Sequence, residues 1–284
     1  MEGLDEVRRI VAAATANDHV EPLNEAALLR LRHEEPGDDL RVVDGGFAWL
    51  HDAEVELVVA PDRRGRGIGE RLAKNLPAGP LTAWSHGNHP AAARLADLLG
   101  WTRVRELWLM RRSLRDEVPE TSIANLRTWR PGDEEEFLRV NARAFAHHPE
   151  QGRMTRADLD ERLAEPWFDP TGFFLAFDED EKLLGYHWTK VHKPPHGDPP
   201  FGEVYVLGVS PDAQGRGLGP ALTQVGLRHL RDLGLNEVVL YVEADNAPAL
   251  RIYDRLGFTH AAADTDVRYA RVTPGSPGGV TIQE

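Results

Sequence analysis

The segment that decides the fold reads Leu207-Gly-Val-Ser-Pro-Asp-Ala-Gln-Gly-Arg-Gly-Leu-Gly219. Its apolar start is typical of the end of a strand, and a Pro-Asp pair stops that strand. The glycines that follow leave backbone N–H groups uncovered where a helix must begin, and such groups bind phosphate oxygens. A side chain at Gly217 or Gly219 would obstruct the approach of the phosphate to the main chain. The segment therefore predicts a cradle for a diphosphate, to which Arg216 adds positive charge.

The same pattern occurs once more, earlier in the chain. It reads Glu56-Leu-Val-Val-Ala-Pro-Asp-Arg-Arg-Gly-Arg-Gly-Ile-Gly69, and Gly67 lies 150 positions before Gly217. Two copies at the spacing of a domain indicate a duplicated fold. Neither copy ends in the Gly-Lys-Ser/Thr of a Walker loop, and neither has the G-x-G-x-x-G spacing of dinucleotide-binding proteins.

The order of the predicted elements after the second copy indicates the kind of fold to which the turn belongs. The sequence predicts a helix at residues 221–233, a strand at 238–242 and a short helix that ends at the Gly257-Phe258 pair. This order resembles the GNAT superfamily of acetyl-CoA-dependent N-acetyltransferases, whose cofactor motif is Q/R-x-x-G-x-G/A. The residues that match the motif are Gln214, Gly217 and Gly219 in the second half, and Arg64, Gly67 and Gly69 in the first.

The resemblance implies an α/β fold class, in the α+β arrangement of the GNAT fold. Two tandem GNAT domains are expected, each a mixed twisted sheet flanked by helices. A polar stretch with a proline, Arg111–Ser122, separates the halves. We therefore place an N-terminal GNAT domain, expected to be noncatalytic, at residues 1–118 and a catalytic C-terminal GNAT domain at 119–272. Residues 273–284 have little to bury and are predicted to form a mobile tail.

Composition narrows the class of protein. The chain is 41% hydrophobic and 28% charged over 284 residues, which suits two ordinary cores. No apolar stretch reaches transmembrane length and the N-terminus is acidic, so we expect a cytoplasmic protein with no membrane partner. A monomer is expected, although the sequence itself does not determine the oligomeric state. The net charge of −13 argues against a nucleic-acid partner. Zero cysteines exclude disulfides and thiolate ligands, and the histidine pairs lack helical i, i+4 spacing, so no metal is expected.

The alternation of side chains along a strand predicts which half performs chemistry. When the central glycines of the two turns are aligned, Glu203 falls opposite Ala53. The acids of the first half, Glu54 and Glu56, then align with residues on the other face of the strand. On this argument the first half lacks the carboxylate that the second half has.

A second comparison concerns the helix that precedes the Gly-Phe pair. Aligning this pair with the Gly-Trp pair of the first half sets Tyr253 opposite Ala96. An amine attacks a thioester only when neutral, so Glu203 suits the general base and Tyr253 the weak acid beside the departing thiolate. The alternatives are a solvated glutamate and a packing tyrosine. A bulge near Leu207 and Gly208 is expected to expose backbone groups that orient the acetyl carbonyl.

Most of the chain also resembles the mycothiol synthase family, the two-domain GNAT enzymes of actinobacteria. That family transfers acetyl from acetyl-CoA to the cysteinyl amine of desacetylmycothiol, a cysteine-glucosamine-inositol pseudo-disaccharide, to give mycothiol. The phrases that carry the resemblance are Val104-Arg-Glu-Leu-Trp-Leu-Met-Arg-Arg-Ser-Leu-Arg-Asp116, Leu138-Arg-Val-Asn141, Ala144-Phe-Ala-His-His-Pro-Glu-Gln-Gly152, Pro166-Trp-Phe-Asp-Pro170, Leu184-Gly-Tyr-His-Trp-Thr-Lys-Val-His192 and Gly202-Glu-Val-Tyr-Val-Leu-Gly-Val209, with both turns.

The resemblance implies sets of contact residues for both substrates. For the amine substrate these are Glu25, Glu150, Lys190, Glu203 and Tyr241, and the residues themselves give no reason to prefer ligand over solvent at Glu25, Glu150 or Lys190. For acetyl-CoA they are Leu57, Val58, Val59, Arg64, Gly65, Arg66, Gly67, Ile68 and Gly69 in the first half, and Leu207, Gly208, Val209, Gln214, Gly215, Arg216, Gly217, Leu218, Gly219, Pro220, Asn246, Ala247, Pro248, Ala249, Leu250 and Arg251 in the second.

Two alternative functions stay open on the sequence. The same fold serves N-acetyltransferases of other small amines, such as aminoglycosides or polyamines, and only an assay with a panel of amines separates these. A duplicated GNAT chain can also be a noncatalytic acyl-CoA sensor. The presence of both Glu203 and Tyr253 in the second half argues against a sensor.

Overall fold

The structure, a computed structural model, describes residues 2–33, 39–146, 151–194 and 198–271. These residues form two compact units, the first of 2–108, 243–245 and 261–271 and the second of 109–242 and 246–260. The units differ from the predicted domains because two C-terminal segments join the first unit, and the predicted domain bounds at 118 and 272 stay a prediction. The predicted tail at 273–284 lies outside the described residues.

The elements follow the order expected of two strand-turn-helix repeats. The helices are α1 (Glu2–Asp18), α2 (Glu25–His33), α3 (Ile68–Lys74), α4 (Pro90–Leu99), α5 (Glu134–Ala144), α6 (Arg156–Leu163), α7 (Leu218–Asp232) and α8 (Ala247–Arg255). The strands are β1 (Leu40–Val43), β2 (Gly46–His51), β3 (Glu54–Val59), β4 (Leu81–Ser85), β5 (Thr102–Ser113), β6 (Asn125–Thr128), β7 (Phe173–Phe177), β8 (Leu183–His192), β9 (Phe201–Val209), β10 (Glu237–Glu243) and β11 (Thr259–Arg271).

The first unit is a mixed sheet with helices on its faces. Its strands lie in the order β1-β2-β3-β4-β11, with β3 and β4 parallel and the other neighbours antiparallel. The helix α1 buries Leu4, Val7, Val11 and Ala14, a spacing of three or four residues that gives a helix one apolar face. That face packs with Val58 of β3 in one core.

The second unit repeats the arrangement with a core rich in aromatic rings. Its strands lie in the order β10-β9-β8-β7-β6, where β9 and β10 are parallel and the rest antiparallel. Trp129, Phe173 and Trp188 stack on one another with ring centroids 4.6 Å and 4.5 Å apart. Stacking of this kind stabilises a core beyond the burial of its area, and it joins β7 to β8.

The two parallel strand pairs separate in the same way. β9 and β10 pair where Gly202 and Glu203 meet β10, and β3 and β4 pair at Glu54. Beyond these positions, toward the glycine-rich turns that follow β3 and β9, no pairing is found between the described residues of β3 and β4 or of β9 and β10. In each unit the strands therefore part in front of the turn, which leaves main-chain groups of both strands accessible to a ligand.

Candidate active site

The second glycine-rich turn presents free backbone at the start of a long helix. Gly215 and Gly217 have φ angles of 76° and 77°, in the left-handed region that favours glycine. A Cβ added at either position would meet no atom within 4 Å, so backbone conformation rather than crowding requires glycine here. Gly217 is the N-cap of the 15-residue α7, and the first amides of a helix have no acceptor within it.

Side chains leave this turn uncovered. Gln214 folds back so that its Nε2 donates to the backbone oxygen of Val209 at 3.4 Å. Arg216 is exposed and lines a cavity of about 200 Å³ together with Leu184 and Leu218. An exposed guanidinium beside open amides is a suitable surface for a diphosphate.

Glu203 lies buried on β9 and has a defined partner. It pairs in register with Lys190 of β8, and its side chain is 10% exposed. The Nε2 atom of His192 lies 2.6 Å from its Oε2. Because a carboxylate accepts, the imidazole Nε2–H donates in this pair. The His192 ring stacks on Phe201 at 4.7 Å, so both the histidine and the carboxylate that it contacts are held in place.

The bulge of β9 lies at Tyr205, and its predicted position near Leu207 and Gly208 is wrong. Trp188 of β8 pairs with Val206, whereas its neighbour Thr189 pairs with Val204, so Tyr205 is the extra residue of β9. The sequence placed the bulge where the strand meets the turn, but the register is set by the partner strand β8. An extra residue reverses the alternation of faces beyond it.

Two aromatic rings contact Lys190, the residue of β8 that pairs in register with Glu203. The Nζ atom of Lys190 lies 4.4 Å from the ring centre of Trp167 and 5.1 Å from that of Tyr205. Arg162 Nε donates to the Tyr205 hydroxyl at 3.1 Å. The faces of both rings are therefore occupied by the Lys190 ammonium.

Tyr253 lies on α8, whose start is capped by Asn246 through its Oδ1 and the Ala249 N–H at 3.1 Å. Its ring meets Phe258 edge to face at 5.6 Å. Burial raises the pKa of Tyr253 to about 12, so the phenol keeps its proton at neutral pH. The Phe258 N–H donates to Tyr253 O at 3.0 Å.

The equivalent bond in the first half joins Trp101 N–H to Ala96 O at 2.9 Å. Both bonds close the same turn at the C-terminal end of a helix. The helices α4 and α8 therefore match as the sequence aligned them, with Ala96 in the place of Tyr253.

The remaining predicted contact residues fall into three groups. Tyr241 lies on β10 with 50% of its surface exposed. The side chain of Glu25 and the whole of Glu150 lie outside what the structure describes. The predicted coenzyme contacts fall at the end of β3 (57–59), in the first turn and the start of α3 (64–69), at the end of β9 (207–209), in the second turn and the start of α7 (214–220), and at the cap and first turns of α8 (246–251).

The first turn has the same backbone as the second but a different side-chain environment. Gly65 and Gly67 have φ angles of 73° and 75°, and the turn borders a cavity of about 400 Å³ within the first unit. Arg64 forms a bidentate pair with the Asp18 carboxylate at 2.8 Å and 2.6 Å. The hydrogen bonds from Arg64 hold the pKa of Asp18 below its ordinary value. The motif arginine of the first half is thus already bound to an anion of the protein.

Sequence reasoning missed the partners of the predicted residues. His192 is 11 positions before Glu203, and no spacing rule links them; only the antiparallel register of β8 and β9 brings them together. Asp18 lies 46 positions before Arg64 and gave no signal either. Within the described part of the chain, no group of three or more histidine, aspartate or glutamate side chains is arranged to hold a metal ion. No described helix is both long and apolar enough to cross a membrane.

Comparison with known proteins identifies the family of this chain. Residues 135–258, which include Glu203, the second turn and Tyr253, match the acetyltransferase (GNAT) family. The mycothiol acetyltransferase of a Nocardioides species is 50% identical over 93% of this chain and 96% of its own length. That of Geodermatophilus obscurus is 52% identical, with 95% of each chain covered. The chain belongs to the mycothiol acetyltransferase family.

Solved structures agree with the predicted fold of this mycothiol acetyltransferase family member. A GCN5-related N-acetyltransferase from Sphaerobacter thermophilus superposes with a TM-score of 0.67 at 23% identity, over 94% of this chain and 91% of its own. A tandem GNAT protein from the clavulanic acid biosynthesis pathway gives the same TM-score at 21% identity, over 95% and 94% of the two chains. The α/β class and the tandem GNAT arrangement predicted from the sequence are confirmed.

Proposed function

We propose that this chain transfers the acetyl group of acetyl-CoA to the cysteinyl amine of desacetylmycothiol, giving mycothiol, and that the C-terminal half performs the transfer. The observation that carries the proposal is the hydrogen-bonded pair of the buried Glu203 and the half-buried His192, which lies where β9 and β10 meet before they part toward the second turn. The names of relatives with about half of their residues identical supply the substrate.

Each group has one task in the transfer. The open amides of residues 215–219 and Arg216 hold the diphosphate, so that the thioester lies between β9 and β10. Glu203 accepts a proton from the amine as the carbon–nitrogen bond forms, and His192 holds the carboxylate in place. Tyr253, still protonated at neutral pH, donates to the sulfur as the carbon–sulfur bond breaks. Positioning supplies a further part of the rate.

The substrate suits the groups around Glu203. The amine substrate is rich in hydroxyl groups and carries one ammonium, and such a ligand requires hydrogen-bonding side chains rather than an apolar pocket. The proposal includes binding of acetyl-CoA at both turns. We also propose that the protein is a cytoplasmic monomer with no nucleic-acid, membrane or metal partner.

The test replaces Glu203 with glutamine and measures acetyl transfer to desacetylmycothiol at neutral pH. We expect Glu203→Gln to lower kcat/KM by about 10²-fold or more, the usual contribution of a positioned base, with acetyl-CoA affinity unchanged. Lost activity should partly return as pH rises, because the free amine then loses its proton in solution.

The matched control is Glu179→Gln, which alters an exposed carboxylate in the same unit and should leave turnover at the wild-type value. Wild-type turnover in Glu203→Gln would remove this residue from the mechanism. A panel of aminoglycosides, polyamines and desacetylmycothiol tests the substrate, and a preference for an amine without cysteine would contradict the proposal.

A further inference from the structure

The end of β9 takes its position from β8. Gly208 pairs in register with Tyr186 of β8, whereas the pairing of β9 with β10 lies further back, at Gly202 and Glu203. The main chain at 207–209 is proposed to contact acetyl-CoA, and it borders the gap where β9 and β10 part. Whatever fixes β8 at Tyr186 therefore fixes the backbone groups that meet the thioester.

Gly208 lies directly against the phenol of Tyr186. A Cβ added at Gly208 would be 2.6 Å from both the Cζ atom and the hydroxyl oxygen of Tyr186, which is closer than two such atoms approach in proteins. The φ angle of Gly208 is not positive, so the close approach, rather than the backbone conformation, requires glycine here. The position of the phenol thus sets the position of the β9 main chain.

Packing and one hydrogen bond hold the phenol in place. Tyr186 is fully buried, and its ring meets Phe137 and Phe173 edge to face, with ring centroids 4.7 Å and 6.2 Å apart. Its hydroxyl donates to Oδ1 of Asn141 at 2.6 Å. Burial raises the pKa of Tyr186 well above its ordinary value, so the phenol keeps its proton and this hydrogen bond at neutral pH.

Asn141 of α5 is itself held at both ends of its amide. It is 1% exposed, its Nδ2 donates to the backbone oxygen of Gln151 at 2.6 Å, and its Oδ1 accepts from Gln151 Nε2 at 3.2 Å. Because only the amide oxygen accepts, these contacts determine which end of Asn141 faces Tyr186. Asn141 and Tyr186 both belong to phrases that carry the family resemblance, although neither is among the predicted contact residues.

We propose that Asn141 and Tyr186 are positioning residues for acetyl transfer, which fix the β9 main chain at 207–209 and thereby orient the acetyl carbonyl of the bound thioester. The inference rests on the proposed use of acetyl-CoA at the second turn. Tyr186 acts through Gly208 and needs no contact with a substrate. The second turn holds the diphosphate, so binding of CoA should hardly depend on the pair, whereas the rate of transfer should, because a small misplacement of reacting groups slows a reaction strongly.

The kinetic test uses the full chain with acetyl-CoA and desacetylmycothiol. Asn141→Leu leaves the buried Tyr186 hydroxyl without its acceptor, so the ring must shift; we expect kcat to fall about tenfold or more, with the Kd of CoA within about twofold of wild type. Tyr186→Phe keeps the ring against Gly208 and should lower kcat only about threefold. This milder variant keeps the test available if Asn141→Leu does not fold, and wild-type kcat in Tyr186→Phe would then overturn the inference.

The double variant shows whether Asn141 acts through Tyr186. Removing both partners of a buried hydrogen bond leaves no donor to satisfy. Adding Tyr186→Phe to Asn141→Leu should therefore raise kcat back to the level of Tyr186→Phe alone, which is a strongly non-additive result. A double variant no faster than Asn141→Leu would overturn the inference, because the effect of Asn141 would then pass through Gln151 instead.

Thr189→Val is the matched control, because it removes another buried hydroxyl of β8. Thr189 Oγ1 donates to the backbone oxygen of Gly172 at 2.8 Å, and the residue lies on the other side of the bulge at Tyr205 from Gly208. Thr189→Val should lower the midpoint of urea unfolding about as much as Tyr186→Phe does, yet leave kcat at the wild-type value. A kcat that falls equally in the control would show that the hydroxyl groups only stabilise the unit.

A spectroscopic readout follows the carbonyl itself. With acetyl-CoA labelled with ¹³C at the carbonyl carbon, the bound signal of the second turn is the one lost when desacetylmycothiol is added. Before that addition, this signal should lie nearer the value of free acetyl-CoA in Asn141→Leu than in wild type, and it should not move in Thr189→Val. An unchanged signal in Asn141→Leu would overturn the inference. Failure of the proposed C-terminal chemistry looks different, because desacetylmycothiol would then remove no bound signal from the wild-type chain, and the inference would fall with it.

Discussion

His192 and Glu203 form a pair whose geometry separates positioning from catalysis. The imidazole N–H donates to the carboxylate at 2.6 Å while the ring stacks on Phe201. We expect His192→Phe, which keeps a stacking ring but removes the donor, to lower kcat about tenfold, the value of one hydrogen bond to a charged group. The KM for acetyl-CoA should stay unchanged, because His192 lies outside the turn.

His192→Gln is the matched variant, since its amide N–H can still donate to Glu203. It should recover most of the lost kcat. Equal losses in both variants would show that the ring itself, and not its hydrogen bond, is what the site requires.

The glycine-rich turn allows a test with two glycines of the same element. Gly217 has a φ of 77°, whereas Gly219 has ordinary helical backbone and a nearest neighbour at 3.8 Å from an added Cβ. Gly217→Ala should therefore cost roughly 1 kcal/mol of stability and weaken CoA binding about tenfold or more. Gly219→Ala should leave stability within about 0.5 kcal/mol.

Calorimetric titration with CoA and urea unfolding of both variants measure these effects. Equal stability of the two alanine variants would contradict the argument that positive φ, and not packing, requires glycine at 217.

The elements that the sequence predicts well are those fixed by local chemistry. The strand-turn-helix repeat, the Gly-capped helices α4 and α8 and the aligned position of Tyr253 all follow from residues within a few positions of one another. The bulge at Tyr205 does not, because a bulge is a property of two strands and shows only in the register against β8. One extra residue was enough to invalidate an argument from alternation. With Tyr205 set aside, Glu203 precedes Val209 by as many positions as Glu54 precedes Val59, so the predicted absence of a carboxylate in the first half is wrong.

The contacts between these polar side chains were also beyond the sequence. Glu203 and His192 lie on neighbouring strands, whereas His86 follows β4 and meets Asp266 of β11 across 180 positions. Each residue alone is an ordinary polar side chain, and its role depends on burial and on one partner. The motif therefore predicts a coenzyme site, whereas the groups proposed to handle protons can be identified only once the sheet is assembled.

Two buried groups, one in each unit, set how the stability of the whole chain depends on pH. His187 donates from Nδ1 to the Leu222 carbonyl at 2.8 Å, and burial lowers its pKa to about 4. The unfolded chain takes up a proton at about 6.5. Between these values the unfolded state binds more protons, so His187 lowers stability as pH falls.

Glu56 acts in the opposite direction. Burial raises its pKa to about 7, while the unfolded chain loses this proton near 4.3. Between these values the native state binds more protons, so the contribution of Glu56 to stability is present at low pH and is lost as pH rises through 7. From pH 7 to pH 5 the two groups therefore work against each other.

Single variants separate the two contributions. We compare the change in unfolding free energy when the pH is lowered from 7 to 5. This change should be about 2 kcal/mol less favourable in Glu56→Gln than in wild type, because the gain from protonating Glu56 is missing. The same change should be about 2 kcal/mol more favourable in His187→Gln than in wild type, because the variant lacks the cost of protonating His187. Urea unfolding at both pH values measures these differences, in which every other titrating group cancels. A variant whose pH dependence matches wild type would show that its group titrates alike in the folded and unfolded chain.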